Sequence, residues 1–291
     1  MANVLHGLTQ WAEFFDTVFG PMMFGYYEKD KALLNYCTDY SAFLTPGSKA
    51  VTLPQLASRT PDSFTTQSTA LEYTGHSSAE SAKTITVNQM KAEVFLFEDL
   101  AMLQTQPGTI PTYASQSASL LRDALVNYVV DSIITSATGN DVAISSAGDN
   151  IITWAKVTEA LGALLTDDVR TSECALGLSG TAWGLSVSDW GDKYMNAAYR
   201  GTPGFASNGE TGTLAGMPVF VSSHWSAAGT AGVECGSIWH PTAIGYAIQG
   251  GIRVKTGNDL LKGLADTLGI GLHFGATLLL DSGVSNFTSA D

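Results

Sequence analysis

One amphipathic run constrains this chain more than any other feature. Pro111 opens it, and Ala114, Ala118, Leu121, Leu125 and Tyr128 then fall at helical spacing, with Val129 and Ile133 widening the stripe. Thr138-Gly139-Asn140 supplies a stop signal. At about 1.5 Å per residue the helix would be roughly 35–40 Å long. That is a long spine for a domain of this size, and its apolar stripe has to be covered by other elements.

Composition narrows what those elements can be. Charged residues are only 14% of the 291, against 45% hydrophobic, where an average soluble protein carries roughly 25% charge. A surface so poor in charge fits a protein largely buried against copies of itself. The length allows one or two domains. The formal net charge is −13 and the 14 basic residues are scattered singly, so a dedicated nucleic-acid-binding module is not expected. Cys37, Cys174 and Cys235 are odd in number and lack CxxC spacing. They read as small buried apolar side chains in a reducing compartment.

Along the chain, residues 1–44 are rich in aromatics, and Leu8, Trp11, Phe15 and Val18 recur at helical spacing before Gly20-Pro21. So much apolar surface must pack on the body or on a neighbour. Val51-Thr52-Leu53 and Thr84-Ile85-Thr86-Val87 alternate like strands. Ser58 to Ser81, between them, is too polar for a core and reads as a projecting two-stranded arm or a surface loop. A second helix is predicted from an N-cap at Thr153 to Leu165, a buried strand at Ala175–Leu178 and a third helix at Trp190–Tyr199, followed by a Gly-rich loop from Gly201 to Gly212. Met217–Ser222, Gly236–Trp239, Gly251–Lys255, Thr267–Phe274 and Ala276–Leu280 read as strands. The apolar stretch Leu268–Leu280 is too short for a bilayer span and carries His273, and the N-terminus has no signal-type pattern.

Chemical motifs are tested and set aside. Lys255-Thr256 lacks the glycines of a phosphate loop, and Gly177-Leu178-Ser179-Gly180 has Thr181 where a nucleophile elbow needs glycine. The histidines His6, His76, His224, His240 and His273 lie far apart, so no zinc site is expected. Asn140-Asp141 and Asp149-Asn150 are turn residues without calcium-loop alternation. Glu98-Asp99 and Asp167-Asp168 read as caps or solvated turns. The sequon at Asn286 has meaning only in a secretory compartment, which nothing in the sequence indicates. No cofactor is expected and no enzymatic site converges.

The order of elements, aromatic arm, extended hairpin, spine helix, α/β region, terminal strands, resembles the Hong Kong 97-type major capsid fold of tailed bacteriophages. The local match lies in Thr213-Leu214-Ala215-Gly216-Met217-Pro218-Val219, which is similar to that family's L-x-G-x-P-V turn and strand, followed by Ser237-Ile238-Trp239. Gly251 to Thr256 resembles its long peripheral strand, Gly257 to Asp266 its polar hairpin loop, Thr267 to His273 the return strand, and Gly275 to Asp281 its chain end. In this reading Gly216 permits a tight turn and Pro218 starts an edge strand.

The resemblance implies an α+β fold divided into an N-terminal arm (1–44), an extended loop (45–100), a peripheral domain with the spine helix (101–165 and 249–275) and an axial domain (166–248 and 276–291). It implies a non-enzymatic subunit that assembles into hexamers and pentamers of an icosahedral head around double-stranded DNA, without sequence-specific binding and without a membrane. An acidic wall suits that role, because a wall that gripped DNA would hinder its passage. Portal and decoration proteins are implied partners, in a virion assembled in the bacterial cytoplasm. Residue 1 is Met and no charged coiled-coil precedes the arm, so a separate scaffolding protein is implied. Candidate inter-subunit contacts are Arg59, Lys83, Asp259, Lys262 and Asp266. Some relatives cross-link Lys to Asn, and Lys83 and Asn258 lie in loosely equivalent elements with nothing in the sequence to fix their geometry. A nanocompartment shell of the same fold is the first alternative, and an α/β hydrolase built on Ser179 the second.

In the resembled family the Gly257–Asp266 loop meets its symmetry mates where three capsomers join, and here it carries mixed charge at Asp259, Lys262 and Asp266. One exposed ion pair contributes only ~0–1 kcal/mol, but repetition over a lattice adds the terms and sets register. Lys262→Glu is therefore expected to leave folding and capsomers intact while lowering the urea midpoint of particle disassembly at low salt. A midpoint equal to the parent's would make the loop an ordinary turn.

Overall fold

The computed structural model describes residues 33–45, 47–56, 80–97, 109–144, 151–191, 194–196, 210–225, 234–259 and 265–289. The expected helix at Leu8–Val18, most of the Ser58–Ser81 stretch and most of the Gly-rich loop lie outside them. The described chain is mixed α and β, in three sheets.

The spine forms where the apolar stripe requires it. Helix α1 (Thr109–Val129) continues as a π turn over Val130–Ile134, in which the Thr135 N–H donates to the Val130 carbonyl at 3.0 Å. Expected to run on to about residue 138, it stops at Ile134, and hydroxyls satisfy two of its last carbonyls. Thr135 Oγ1 donates to Asp131 O at 2.6 Å and Ser136 Oγ to Ile133 O at 2.7 Å.

Under α1 lies a four-stranded sheet in the order β1 (Thr38–Asp39), β11 (Ile244–Asp259), β12 (Ala265–Leu278), β4 (Gln89–Phe97), with β1 parallel to β11 and the rest antiparallel. Ile270, Leu272 and Phe274 point from β12 into the core shared with Ala118, Leu121, Leu125 and Val129 of the helix, and Tyr128 meets Phe274 edge-on at 5.6 Å. The sequence reading had two strands here, 267–274 and 276–280. They are one, because β12 keeps pairing with β11 through Gly275. Likewise β11 extends well beyond Gly251–Lys255 at both ends, with a register shift between Ile248 and Ile252 where Gly250 and Gly251 take positive φ. Gly257–Asp259 and Asp266, expected in the hairpin loop, continue the ladder as Gly257↔Thr267 and Asn258↔Asp266.

A seven-stranded mixed sheet follows the order β5 (Val142–Ile144), β13 (Val284–Ser289), β10 (Glu234–Trp239), β6 (Ala175–Leu178), β9 (Met217–Val221), β8 (Glu210–Leu214), β7 (Tyr194–Asn196). Helices α2 (Trp154–Thr166) and α3 (Gly180–Trp190) belong to the core on one face, with Val157, Ala160, Leu164, Ala182 and Trp190 among Leu176, Val219, Ile238 and Phe287. Thr153 caps α2 as expected, its side chain accepting from the Lys156 N–H. The other face shares the spine-helix core through Ala175, Phe220, Trp225, Trp239 and Val284.

Two sequence expectations are corrected. The third helix is not Trp190–Tyr199 but α3, which begins after Ser179, whose side chain accepts from the Ala182 N–H, and ends at Trp190; β7 occupies 194–196. The buried stripe of α3 is Ala182, Ser186 and Trp190. Ser186 hides that stripe from a hydrophobicity pattern, although its hydroxyl accepts from the buried Ile152 N–H at 2.9 Å. Pro218 does not start an edge strand, since β9 lies between β6 and β8. It is tolerated by register. Ala215 and Gly216, both at positive φ, close the β8–β9 hairpin between Leu214 and Met217. The next pair, Thr213↔Pro218, is therefore a non-bonded one, and β6 begins pairing only at Val219.

Gly177 of β6 lies directly beneath the Trp225 indole, which donates to Ser237 Oγ at 3.1 Å and stacks on Trp239 at 5.9 Å. A methyl group there would run into the ring. Gly177→Ala is expected to destabilise by about 1–3 kcal/mol through overpacking, read as a lower urea midpoint with altered tryptophan fluorescence. Gly184→Ala, in open space on α3, is the control and is expected to stabilise by about 0.5–1 kcal/mol.

Candidate assembly surface

The third sheet is a two-stranded ribbon, β2 (Ala50–Leu56) with β3 (Glu80–Thr86), paired from Ala50↔Thr86 to Leu56↔Glu80. Its root is fastened to the four-stranded sheet. Ile85 is wholly buried against Gly245, Ala247 and Leu279. Thr277 Oγ1 donates to Thr84 O at 3.2 Å and Gln249 Nε2 to Ser48 O at 2.8 Å, while the Val87 N–H donates to Lys49 O at 2.8 Å within the ribbon itself. At Gly275 the Thr86 carbonyl comes so close that no Cβ could be accommodated. Away from this root Thr52, Pro54, Ala82, Lys83 and Thr84 are exposed. A lone two-stranded ribbon is marginal in water, so its outer part needs a surface that its own described sheets do not offer.

The ribbon covers only part of the outer face of the four-stranded sheet. Register places Arg253, Gly271 and Ala92 in one cross-strand row and Lys255, Gly269 and Val94 in the next, on the face opposite the spine helix. Met90 and Val94 of β4 are 61% and 64% exposed. Arg253 and Lys255 are exposed and make no ion pair among the described residues, although the chain has 27 acidic groups to 14 basic ones. β4 is also an edge strand, and such an edge is a template for pairing unless it is covered. Glycine floor, apolar rim and unneutralised cations together make a face suited to another chain. Sequence reasoning did not single out Met90, Val94 or Arg253, and weighed Lys255 only as part of a phosphate loop; the alternation Met90-Ala92-Val94 was the available clue.

Of the five residues singled out from sequence, Lys83 is exposed on β3 opposite Leu53. Asp259 ends β11 and Asp266 pairs with Asn258, while Arg59 and Lys262 lie outside the described residues. The ribbon root meets β12 near Thr277, eleven residues from Asp266. At about 3.3 Å per residue that is roughly 35 Å. Within one subunit the structure therefore keeps Lys83 apart from Asp259 and Asp266.

Side chains with chemical potential are engaged in structure. Burial pushes the thiols of Cys37 and Cys174 up to about 12 and that of Cys235 up to about 11, far from a reactive thiolate. Ser179, the elbow candidate, is buried; its hydroxyl caps α3 and bonds Thr181 Oγ1 at 3.1 Å. His240 bonds Thr242 Oγ1 through Nδ1 and approaches Glu173 through Nε2 at 3.3 Å. His224 Nδ1 bonds Asn127 Oδ1 on the spine helix at 3.1 Å, and burial lowers its pKa. Among the described residues no three His, Cys, Asp or Glu are placed to hold a metal ion, and no helix is long and apolar enough to cross a membrane.

Solved structures similar to this chain come from phage and phage-like particles. One from Mycobacterium phage Che8 matches at TM-score 0.62 and 17% identity, over 87% of this chain and 89% of that one. The capsid structure of cyanophage P-SCSP1u matches at 0.61 and 12% identity, over 88% and 87%. The capsid of an empty GTA particle matches at 0.63 and 12% identity, over 89% and 90%. No family model and no curated protein matches the sequence. The chain thus has the fold of phage capsid structures.

The seat at Gly275 yields a sharp expectation. Gly275→Ala should pry the ribbon root from β12, because the opposing atoms are backbone and cannot rotate away. Limited proteolysis within 57–79 is expected to accelerate severalfold while far-ultraviolet dichroism stays near the parent's. Unchanged proteolysis would mean that the ribbon is held elsewhere.

Proposed function

We propose that this chain is the major capsid protein of a tailed bacteriophage, self-assembling into hexamers and pentamers of an icosahedral head that encloses double-stranded DNA. The observation that carries the proposal is a shared fold over nearly nine-tenths of both chains with structures that include the capsids of a cyanophage and of a GTA particle. The ribbon and the sheet face support it, because each leaves exposed surface among the described residues that another copy could bury.

In this reading residues 1–44 form the arm and 45–100 the extended loop. Residues 101–165 with 249–275 form the peripheral domain, and 166–248 with 276–291 the axial domain. The long β11–β12 pair, which reaches Asp259↔Ala265, carries Asp259, Lys262 and Asp266 outward to a junction between capsomers. Arg59 and Lys83 on the loop touch a neighbouring subunit. A scaffolding protein guides closure, and portal and decoration proteins complete a virion built in the host cytoplasm. No chemistry is assigned, since the fold serves here as a wall.

Expressed with its scaffold, the chain is expected to give closed shells in negative-stain micrographs, and alone to give capsomers or aberrant shells. Particles from the native source should protect long double-stranded DNA from nuclease. A stable monomer at every salt and protein concentration would overturn the assembly reading. Shells holding a packaged enzyme in place of nucleic acid would replace it with a nanocompartment.

A further inference from the structure

Among the described residues β4 pairs with β12 along its whole length, Gln89 to Phe97, and has no neighbour on its other side. Its register sorts its side chains by face. Met90, Ala92 and Val94 stand opposite His273, Gly271 and Gly269 on the outer face, and all three are exposed. Lys91 and Glu93 stand opposite Leu272 and Ile270, on the face toward the spine helix. Glu93 is half-buried, and its Oε2 is out of contact with water and has no hydrogen-bond donor. Lys91 is exposed, and neither it nor Glu93 has an ion-pair partner among the described residues. A carboxylate oxygen held out of water without a donor is costly. The subunit leaves that cost standing, with an unused ammonium two residues away on the same face.

The order of these residues is self-complementary. Laid antiparallel against a copy of itself with Ala92 facing Ala92, β4 sets Lys91 opposite Glu93 and Glu93 opposite Lys91, while Met90 and Val94 face Val94 and Met90. Directly opposed side chains share a face, with Cβ atoms about 4.5–5.5 Å apart. Both charged pairs therefore form on the inner face and both apolar pairs on the outer one. Other two-fold registers are worse. Centred on Lys91 or on Glu93, the pairing opposes like charges, which is destabilising. Centred on Met90 or on Val94, it sets Lys91 and Glu93 against uncharged residues. A lysine on an edge ordinarily deters pairing, because a second copy brings a second lysine to it. Glu93 removes that repulsion in one register alone.

We propose that β4 is a docking edge for a second copy of this chain: two subunits join β4 to β4, antiparallel, about a two-fold axis through Ala92, and their four-stranded sheets become one continuous sheet. The contact is isologous, the same patch serving both partners, and its mode is strand addition. Each element has a separate task. The new main-chain ladder and the Met90–Val94 contacts hold the pair together, covering two side chains that the lone subunit leaves exposed. The two Lys91–Glu93 pairs set the register, since a shift in either direction loses them or opposes like charges. Ala92, small enough to let the strands close, sits on the axis. This contact goes beyond the capsid reading, which neither requires it nor supplies it.

Cysteine cross-linking of the full chain tests it. The native Cys37, Cys174 and Cys235 are buried, so an added thiol on β4 reports by itself. Opposed Cβ atoms lie close to the span of a disulfide. Ala92→Cys, briefly oxidised with copper–phenanthroline, is expected to run as a covalent dimer on a non-reducing gel. Met90→Cys and Val94→Cys should link poorly alone and readily to each other when co-expressed. In the Ala92→Cys background, Lys91→Glu and Glu93→Lys should each lower the linked fraction severalfold. Combining the two restores opposite charges across the axis and should restore the dimer, a recovery that damage to the fold would not give. An Ala92→Cys chain that stays unlinked, or one that links as well with Lys91→Glu alone as with both exchanges, would overturn the proposal and leave the capsid reading untouched. Dimers linked at position 92 in a preparation that never forms shells would uphold this contact and count against that reading.

Discussion

Between residues 269 and 275, strand β12 carries large apolar side chains on one face only, and the remainder of the described fold is arranged around that asymmetry. Ile270, Leu272 and Phe274 face the spine helix and are buried, each contributing about 1.5–3 kcal/mol. Gly269, Gly271 and Gly275 leave the other face as bare backbone, interrupted by His273. The same strand is thus the floor of a core and the seat of the ribbon, whose Thr86 carbonyl approaches at Gly275. A side chain at that glycine would force a choice between the two. A two-stranded ribbon has little stability of its own, so its direction is inherited from the strand it rests on.

A second consequence is mechanical. The core under the spine helix does not end at the four-stranded sheet but runs on into one face of the seven-stranded sheet, through Phe220, Trp225, Trp239 and Val284. Residues 33–40 stitch the same seam. Leu33 and Leu34 are buried in it, Trp239 Nε1 donates to Tyr36 O at 2.8 Å, Tyr36 meets Phe220 at 5.2 Å, and the Tyr40 N–H donates to Tyr246 O at 2.8 Å. Apolar packing is close and resists continuous deformation. The joint at 134–141, between the spine helix and β5, adds polar ties to this apolar seam, with Asn286 Nδ2 donating to Ile134 O at 3.2 Å and to Ala137 O at 2.8 Å.

The sequence made the helices legible where burial and hydrophobicity coincide. α1 and α2 were found, the second to its cap at Thr153, because their buried positions are mostly Leu, Val and Ala, with Ser117 the polar one described on α1. α3 was displaced because Ser186 is buried and polar, satisfied by a backbone N–H from a segment 34 residues away, which no local pattern reports. The terminal strands were found as alternation, but their length was not: Gly275 looks like a break and is the place where the Thr86 carbonyl comes close. Strand β4 was missed because its inward positions include Lys91 and Glu93, in register with the buried Leu272 and Ile270. An edge strand keeps polar side chains at its margin, so half of its alternation is lost. A likeness to capsid proteins was legible as a resemblance, and the chain shares the fold of phage capsid structures. The surface was not, since the exposure of Met90 and Val94 depends on which neighbours fail to cover them.

Low charge gives the few exposed ions unusual weight. In a surface dense with Lys and Glu, any one ion has several partners, and its loss is absorbed by rearrangement. Here Arg253 and Lys255 stand unpaired among the described residues on a face floored by glycine, while Asp141, Asp167, Glu234 and Asp281 gather at the joint. Apolar contact between copies is indifferent to small shifts in position, because it follows area alone. Sparse charges are not indifferent: a shift that leaves a cation unpaired or brings carboxylates together costs more than the contact it slides along. In an assembly of identical chains, apolar area would then hold subunits together while isolated charges decide where they stop.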